Sequence, residues 1–256
     1  MKKLVAVLIA LVMSLSLYSC GEKKNRTEDI MDGDKVIGKS YYEDGQLVKE
    51  EYTDENGSVS EYKQYTDGAL SQTGKNEYGD DGDLSSSVIS TYDGDRVVKE
   101  ENTYYKNGEV AQVRTVEYTY NEDGSVLESV SSDGKKTSEV LKNSDGEKLY
   151  STSYDENGSV KTSYENGNIS KSETFGTEGE LLGYSQMEYG EDGKTSGSVT
   201  YNSNGEAVMK TVYEYNGDKV SKIFMYNADG TLFQTGVYGE DGKLTLYDKN
   251  GNPAGK

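Results

Sequence analysis

The sequence predicts an all-β chain: a repetitive antiparallel β-meander of about 18–20 short strands, elongated, in a twisted or partly rolled sheet. Three observations carry that expectation. Asp-Gly or Asn-Gly dipeptides recur from Gly33 to Gly251 at a mean spacing of roughly 12 residues. The aromatic complement is 23 Tyr against 3 Phe and no Trp, and a single Pro, Pro253, interrupts the backbone donors. Asn-Gly and Asp-Gly between alternating residues mark tight hairpins, because both positions tolerate the positive φ that those turns require.

The amino terminus is a separate element. Lys2 and Lys3 precede the apolar run from Leu4 to Val12, which is too short to span a bilayer, and the segment ends in Leu17-Tyr18-Ser19-Cys20. It resembles a bacterial lipoprotein signal peptide over residues 1–19, with Tyr18 departing from the small residue usual there. Leu17, Ser19 and Cys20 match the lipobox. The resemblance implies cleavage before Cys20 and acylation of that residue, the only Cys in the chain. Residues 20–31 lack periodicity and are expected to form a flexible tether. The hairpin domain is expected over 32–256, with a joint near 131–149, where the Tyr before each turn is missing.

Around the turns, three loop geometries converge on one outcome. Two-residue Asp-Gly or Asn-Gly loops set Tyr42 opposite Leu47, Tyr65 opposite Leu70, Tyr105 opposite Val110 and Tyr164 opposite Ile169. Longer loops ending in a left-handed Gly set Tyr78 opposite Leu84, Tyr120 opposite Val126 and Tyr226 opposite Leu232. Loops shifted onto Gly94-Asp95 and Gly217-Asp218 pair Tyr92 with Val97 and Tyr215 with Val220. Side chains two apart share a strand face. By that rule Leu84, Val88 and Tyr92 share one face, as do Ala207, Met209, Tyr213 and Tyr215. A Tyr and aliphatic face turned inward, opposite a solvated Ser, Thr, Lys and Glu face, is therefore expected, with bulges after Gly45 and Gly242.

Tyr41-Tyr42-Glu43-Asp44-Gly45-Gln46-Leu47 resembles a MORN-variant repeat, and Tyr247-Asp248-Lys249-Asn250-Gly251-Asn252 resembles a YD-type repeat. Together with the signal, these residues are similar to bacterial envelope lipoproteins built from hairpin repeats. A second likeness is to surface lipoproteins with a free-standing Lys- and Glu-rich antiparallel sheet.

Composition narrows the chemistry. With one Cys and no His, a Cys/His zinc site, a Ser-His-Asp triad, a Cys-His dyad and an internal disulfide are all excluded. A net charge of -19 opposes nucleic acid and bare anionic membrane surfaces. No metal site or cofactor is expected, since the residue five before Gly57 and Gly205 is Tyr52 and Thr200, not the acidic or amide ligand of a calcium loop. Asp80, Asp81, Asp83, Glu100 and Glu101 are the carboxylates a glycan hydrolase would need; turn and surface roles are the expected ones.

Tyr92, Tyr105, Tyr120, Tyr213, Tyr215 and Tyr226 form the candidate binding face, because tyrosine offers amphipathic contact area at low entropic cost. The expected protein is thus not an enzyme. It is an acyl-anchored lipoprotein of the bacterial cell envelope, periplasmic or surface-exposed, whose repeats act as a structural module or bind a protein or glycan. The alternative is a toxin-inhibiting, immunity-type lipoprotein using its acidic surface.

Overall fold

The computed structural model describes residues 25–254. The signal segment, Leu17, Ser19 and Cys20 lie outside the described residues. The fold is all-β: 19 antiparallel strands follow one another as a meander, with no helix among the described residues. The chain divides into two compact units, one comprising the residues up to Tyr118 with Val130–Lys135, the other Thr119–Ser129 with Lys136–Lys256.

The first unit carries Arg26–Asp32 (β1), Lys35–Glu43 (β2), Gln46–Thr53 (β3), Val59–Thr66 (β4), Ala69–Tyr78 (β5), Leu84–Asp93 (β6), Arg96–Lys106 (β7) and nearly all of Glu109–Tyr120 (β8). Val126–Ser132 (β9) is divided between the units. The second unit carries Lys135–Lys142 (β10) from its second residue, Lys148–Asp155 (β11), Gly158–Glu165 (β12), Asn168–Phe175 (β13), Leu181–Tyr189 (β14), Thr195–Asn202 (β15), Ala207–Asn216 (β16), Lys219–Asn227 (β17), Leu232–Tyr238 (β18) and Leu244–Asp248 (β19). β1 begins at Arg26, so the last six residues of the expected tether are strand: Thr27, Glu28 and Asp29 pair with Tyr41, Ser40 and Lys39. The partner strand, rather than any apolar pattern in β1, orders them.

Turn chemistry follows the residue types. Asp44 and Gly45 both have positive φ, 50° and 81°, as a type I′ turn demands. Gly94 opens its loop at φ 58°, the first position of a type II′ turn. In the longer loops an Asx side chain replaces missing backbone partners: Asp54 Oδ1 accepts from the Asn56 and Ser58 amides, each at 2.9 Å. Gly158 departs from the pattern. It lies inside β12 opposite Asp155, which leaves Glu156 and Asn157 as the loop.

Eight of the Tyr and aliphatic pairs expected beside turns are present in the registers, from Tyr42 with Leu47 to Tyr226 with Leu232. The face assignment is different from the expected one. Next to nearly every turn the register slips by one residue: Tyr42 pairs with Leu47, but Tyr41 pairs with Lys49. The expected bulge after Gly45 is thus present, whereas β18 and β19 pair without one, so none follows Gly242. Each slip reverses the face of everything beyond it. Leu84 pairs with Tyr78 and Ser86 with Glu77, which puts Leu84 on the face opposite Val88 and Tyr92. Ala207, opposite Tyr201, is likewise separated from Met209, opposite Thr200.

Tyrosines therefore occupy both faces. Tyr42, Tyr65 and Tyr92, with their aliphatic partners, lie on one face of the first unit; Tyr78 and Tyr105 lie on the other. No inward Tyr face forms within either unit. Val116, 6% exposed, is the one buried apolar side chain among the described residues. Each unit is a sheet one layer thick, held by contacts within its own faces.

Many of those contacts pair a tyrosine with a charged neighbour. Arg26 lies 4.0 Å from the Tyr42 ring, Lys161 4.3 Å from Tyr150 and Lys171 4.3 Å from Tyr184. Pairs of this kind contribute about 0.5–1 kcal/mol at exposed sites. Hydroxyls add charge-assisted bonds, with Tyr41 donating to Glu51 at 2.6 Å, Tyr65 to Glu50 at 2.7 Å and Tyr118 to Glu100 at 2.6 Å. At the outer edge of β19 the chain turns back, Pro253 bridges to Tyr247, and the Ala254 amide donates to the Leu246 carbonyl at 2.8 Å. A proline placed there offers no donor to a further strand.

Candidate functional site

The six tyrosines singled out in the sequence do not gather on one surface. Tyr92 and Tyr105 fall on opposite faces of the first unit, and Tyr92 Oη lies 3.3 Å from Thr73 Oγ1. Tyr120 is exposed at the end of β8. Tyr213 and Tyr215 share a face with Ile223 and Val220, whereas Tyr226 lies on the other face of the same hairpin, opposite Lys210. Tyr215 is committed locally, donating to the Thr195 carbonyl at 2.8 Å beneath Lys194.

The hydrolase carboxylates are also dispersed. Asp81 accepts from the Asp83 amide at 3.1 Å within its turn. Glu100 and Glu101 point to opposite faces of β7, the first engaged by Tyr118 and the second by Lys99 at 2.9 Å. Hydrogen bonds to Lys49 and then Tyr41 hold the Glu51 carboxyl below its ordinary pKa. Among the described residues no cluster of acidic, His or Cys side chains has the arrangement of a metal site.

One constellation does emerge, and no sequence motif announces it. On the Tyr226 face of the second unit, cross-strand registers join Ser163, Lys171, Gln186, Val199, Lys210 and Tyr226 into a single row crossing β12 to β17, one residue per strand. Two surface depressions follow this row and share Val199. One, of about 460 Å³, is lined by Val199, Ala207, Lys210, Val212 and Tyr226. The other, of about 500 Å³, is lined by Ser163, Lys171, Gln186, Glu188, Val199 and Tyr201. On the flank, the Tyr184 and Tyr201 rings stack with centroids 4.6 Å apart and planes 15° apart. The row's lysines are neutralised in place: Lys171 Nζ is 2.6 Å from Glu173, and Lys210 Nζ is 3.1 Å from Glu188. Gly197, opposite both Glu188 and Val212, keeps the floor low, and a Cβ there would stand 2.4 Å from the Thr211 carbonyl oxygen.

With this geometry in view, comparison with known proteins adds little. No family model matches the chain, and no curated protein matches it. Among solved structures, the crystal structure of TcdB2-TccC3 aligns over 88% of this chain at 12% identity and a TM-score of 0.19; the chain spans 17% of its length. A porin-like protein from Bacteroides uniformis aligns over 86% of this chain and 92% of its own at 9% identity and a TM-score of 0.16. Neither likeness carries an argument about function.

Proposed function

We propose that the protein is a non-enzymatic repeat module of the bacterial cell envelope, anchored through acyl chains on Cys20, whose sheet serves as a structural or binding surface for a protein or a glycan. The supporting observation is the engagement of its reactive side chains with one another: rings under lysines, hydroxyls on carboxylates and Asp side chains within turns. This is the economy of a scaffold that must stay ordered without a thick core. The acidic balance of 46 Asp and Glu against 27 Lys and Arg supports partners other than nucleic acid.

Radiolabelled palmitate supplied to bacteria expressing the protein is expected to label the wild type and leave Cys20→Ala unlabelled. Two or three acyl chains at about 0.8 kcal/mol per buried CH₂ hold a protein of this size at the membrane, so Cys20→Ala is also expected to move into the soluble fraction. Equal labelling of both forms overturns the anchor.

A further inference from the structure

We propose that the groove crossing β12 to β17 binds a neutral, extended, β-linked glycan laid across the strands, with about one pyranose ring per strand; this rests on the reading of the sheet as a binding module. The dimensions of the row match those of such a chain. Ser163, Lys171, Gln186, Val199, Lys210 and Tyr226 stand on consecutive strands in direct register, so the row spans five strand-to-strand steps. At about 4.8 Å per step it runs for roughly 24 Å. A pyranose unit in an extended β-linked chain advances by about one such step, so sugar and strand repeats stay in phase along the groove.

The charge of the groove favours a neutral ligand. Lys171 and Lys210 are each paired with a glutamate in the sheet, and Glu165 is the one ionised group lining the groove with no ion-pair partner among the described residues. A polycationic ligand would find only one free counter-charge, Glu165 on the first strand of the row, because Glu173 and Glu188 are already paired, and an anionic ligand would meet Glu165 and the surplus acidity of the whole chain. An uncharged polyhydroxyl chain meets neither obstacle.

Polar groups along the groove are also left available. Some tyrosine hydroxyls in the sheet are spent on neighbours, as at Tyr65, Tyr189 and Tyr215. Tyr201, Tyr226 and the Gln186 carboxamide make no side-chain hydrogen bond among the described residues, although all three border the groove. A half-exposed phenol ring covers the apolar face of a sugar, while its hydroxyl and a free carboxamide offer donors and acceptors at the edge. Val199 and Val212 supply the apolar floor between them.

Isothermal titration of the full chain with cellohexaose, chitohexaose and, as an anionic comparison, hexagalacturonate tests the proposal. At least one of the two neutral hexamers is expected to bind, more tightly than its own trimer and with little dependence on salt. Tyr226→Ala and Gln186→Ala are each expected to weaken binding about tenfold, a loss of about 1.4 kcal/mol. Tyr213→Ala, on the opposite face, is expected to bind as the wild type does, with circular dichroism confirming that all three variants fold. Binding of neither neutral hexamer, equal binding of hexagalacturonate, or equal loss in Tyr213→Ala overturns it. Such a failure leaves the palmitate result standing, and failure of palmitate labelling leaves the groove standing.

Discussion

Gly38→Ala is expected to lower the stability of the first unit by about 2–3 kcal/mol, although alanine is normally a harmless replacement for a buried glycine of ordinary backbone conformation. Gly38 sits in β2 opposite Tyr52, one residue beyond the slip that separates the Ile30 and Met31 pairings. A Cβ at this position would stand 2.1 Å from the Glu51 carbonyl oxygen and 3.1 Å from the Tyr52 Cα. Both obstacles are backbone, so relief requires strands β2 and β3 to separate. Gly74 offers the contrast: its Cβ would meet the Tyr62 ring at 2.0 Å, and that ring can swing outward. Urea titrations check the difference, with a lower midpoint at unchanged slope expected for Gly38→Ala and a smaller shift for Gly74→Ala. An unchanged midpoint in Gly38→Ala would contradict the close approach of β2 and β3.

The second large effect is alkaline unfolding. Burial, then the hydrogen bond to Glu50, pushes the Tyr65 phenol far above its ordinary value. The hydrogen bond to Glu51 raises Tyr41, and burial raises Tyr52, Tyr62 and Tyr150. A phenol with a folded pKa above its unfolded value of about 10 binds its proton more tightly in the fold. Its contribution is complete below about pH 10 and is lost as pH rises through the folded values, so stability falls with rising pH. Several tyrosines act in the same direction, which makes the loss cumulative. Tyrosinate absorbance is expected to lag behind that of a free phenol and then rise together with the collapse of the β signal in circular dichroism. Ionisation of all tyrosines near pH 10 with the sheet intact would show that these hydroxyls hold nothing together.

The hairpins were legible because Asp-Gly and Asn-Gly carry their own stereochemistry, and the pairs beside the turns followed from loop length. The slips were not, since they are a property of two strands at once. A trace of them is nevertheless written in the chain. Ser60, Ser71 and Ser85 each follow a turn glycine by three residues and each occupy the extra position of a slip. Their hydroxyls donate to the facing carbonyls of Tyr52, Gln64 and Glu77 at 3.3, 3.2 and 2.9 Å, satisfying acceptors near the slip. At other slips the extra residue is Val48 or Phe233, and no residue type announces the change of face. The parity rule therefore put Tyr226 and Tyr213 in one candidate set when they lie on opposite sides of a hairpin. The groove row was hidden for the same reason: its residues, from Ser163 to Tyr226, share no motif and meet only through five successive registers.

Each unit is a sheet one layer thick, with tyrosine on both faces and almost no apolar side chain fully withdrawn from water. The heat-capacity change of unfolding reads that directly, because it scales with apolar surface newly exposed and is reduced by polar surface. Calorimetry is expected to give a value well below the roughly 12–15 cal/mol/K per residue of layered globular domains. A value within that range would mean that a conventional core exists and that the faces described here are packed against something.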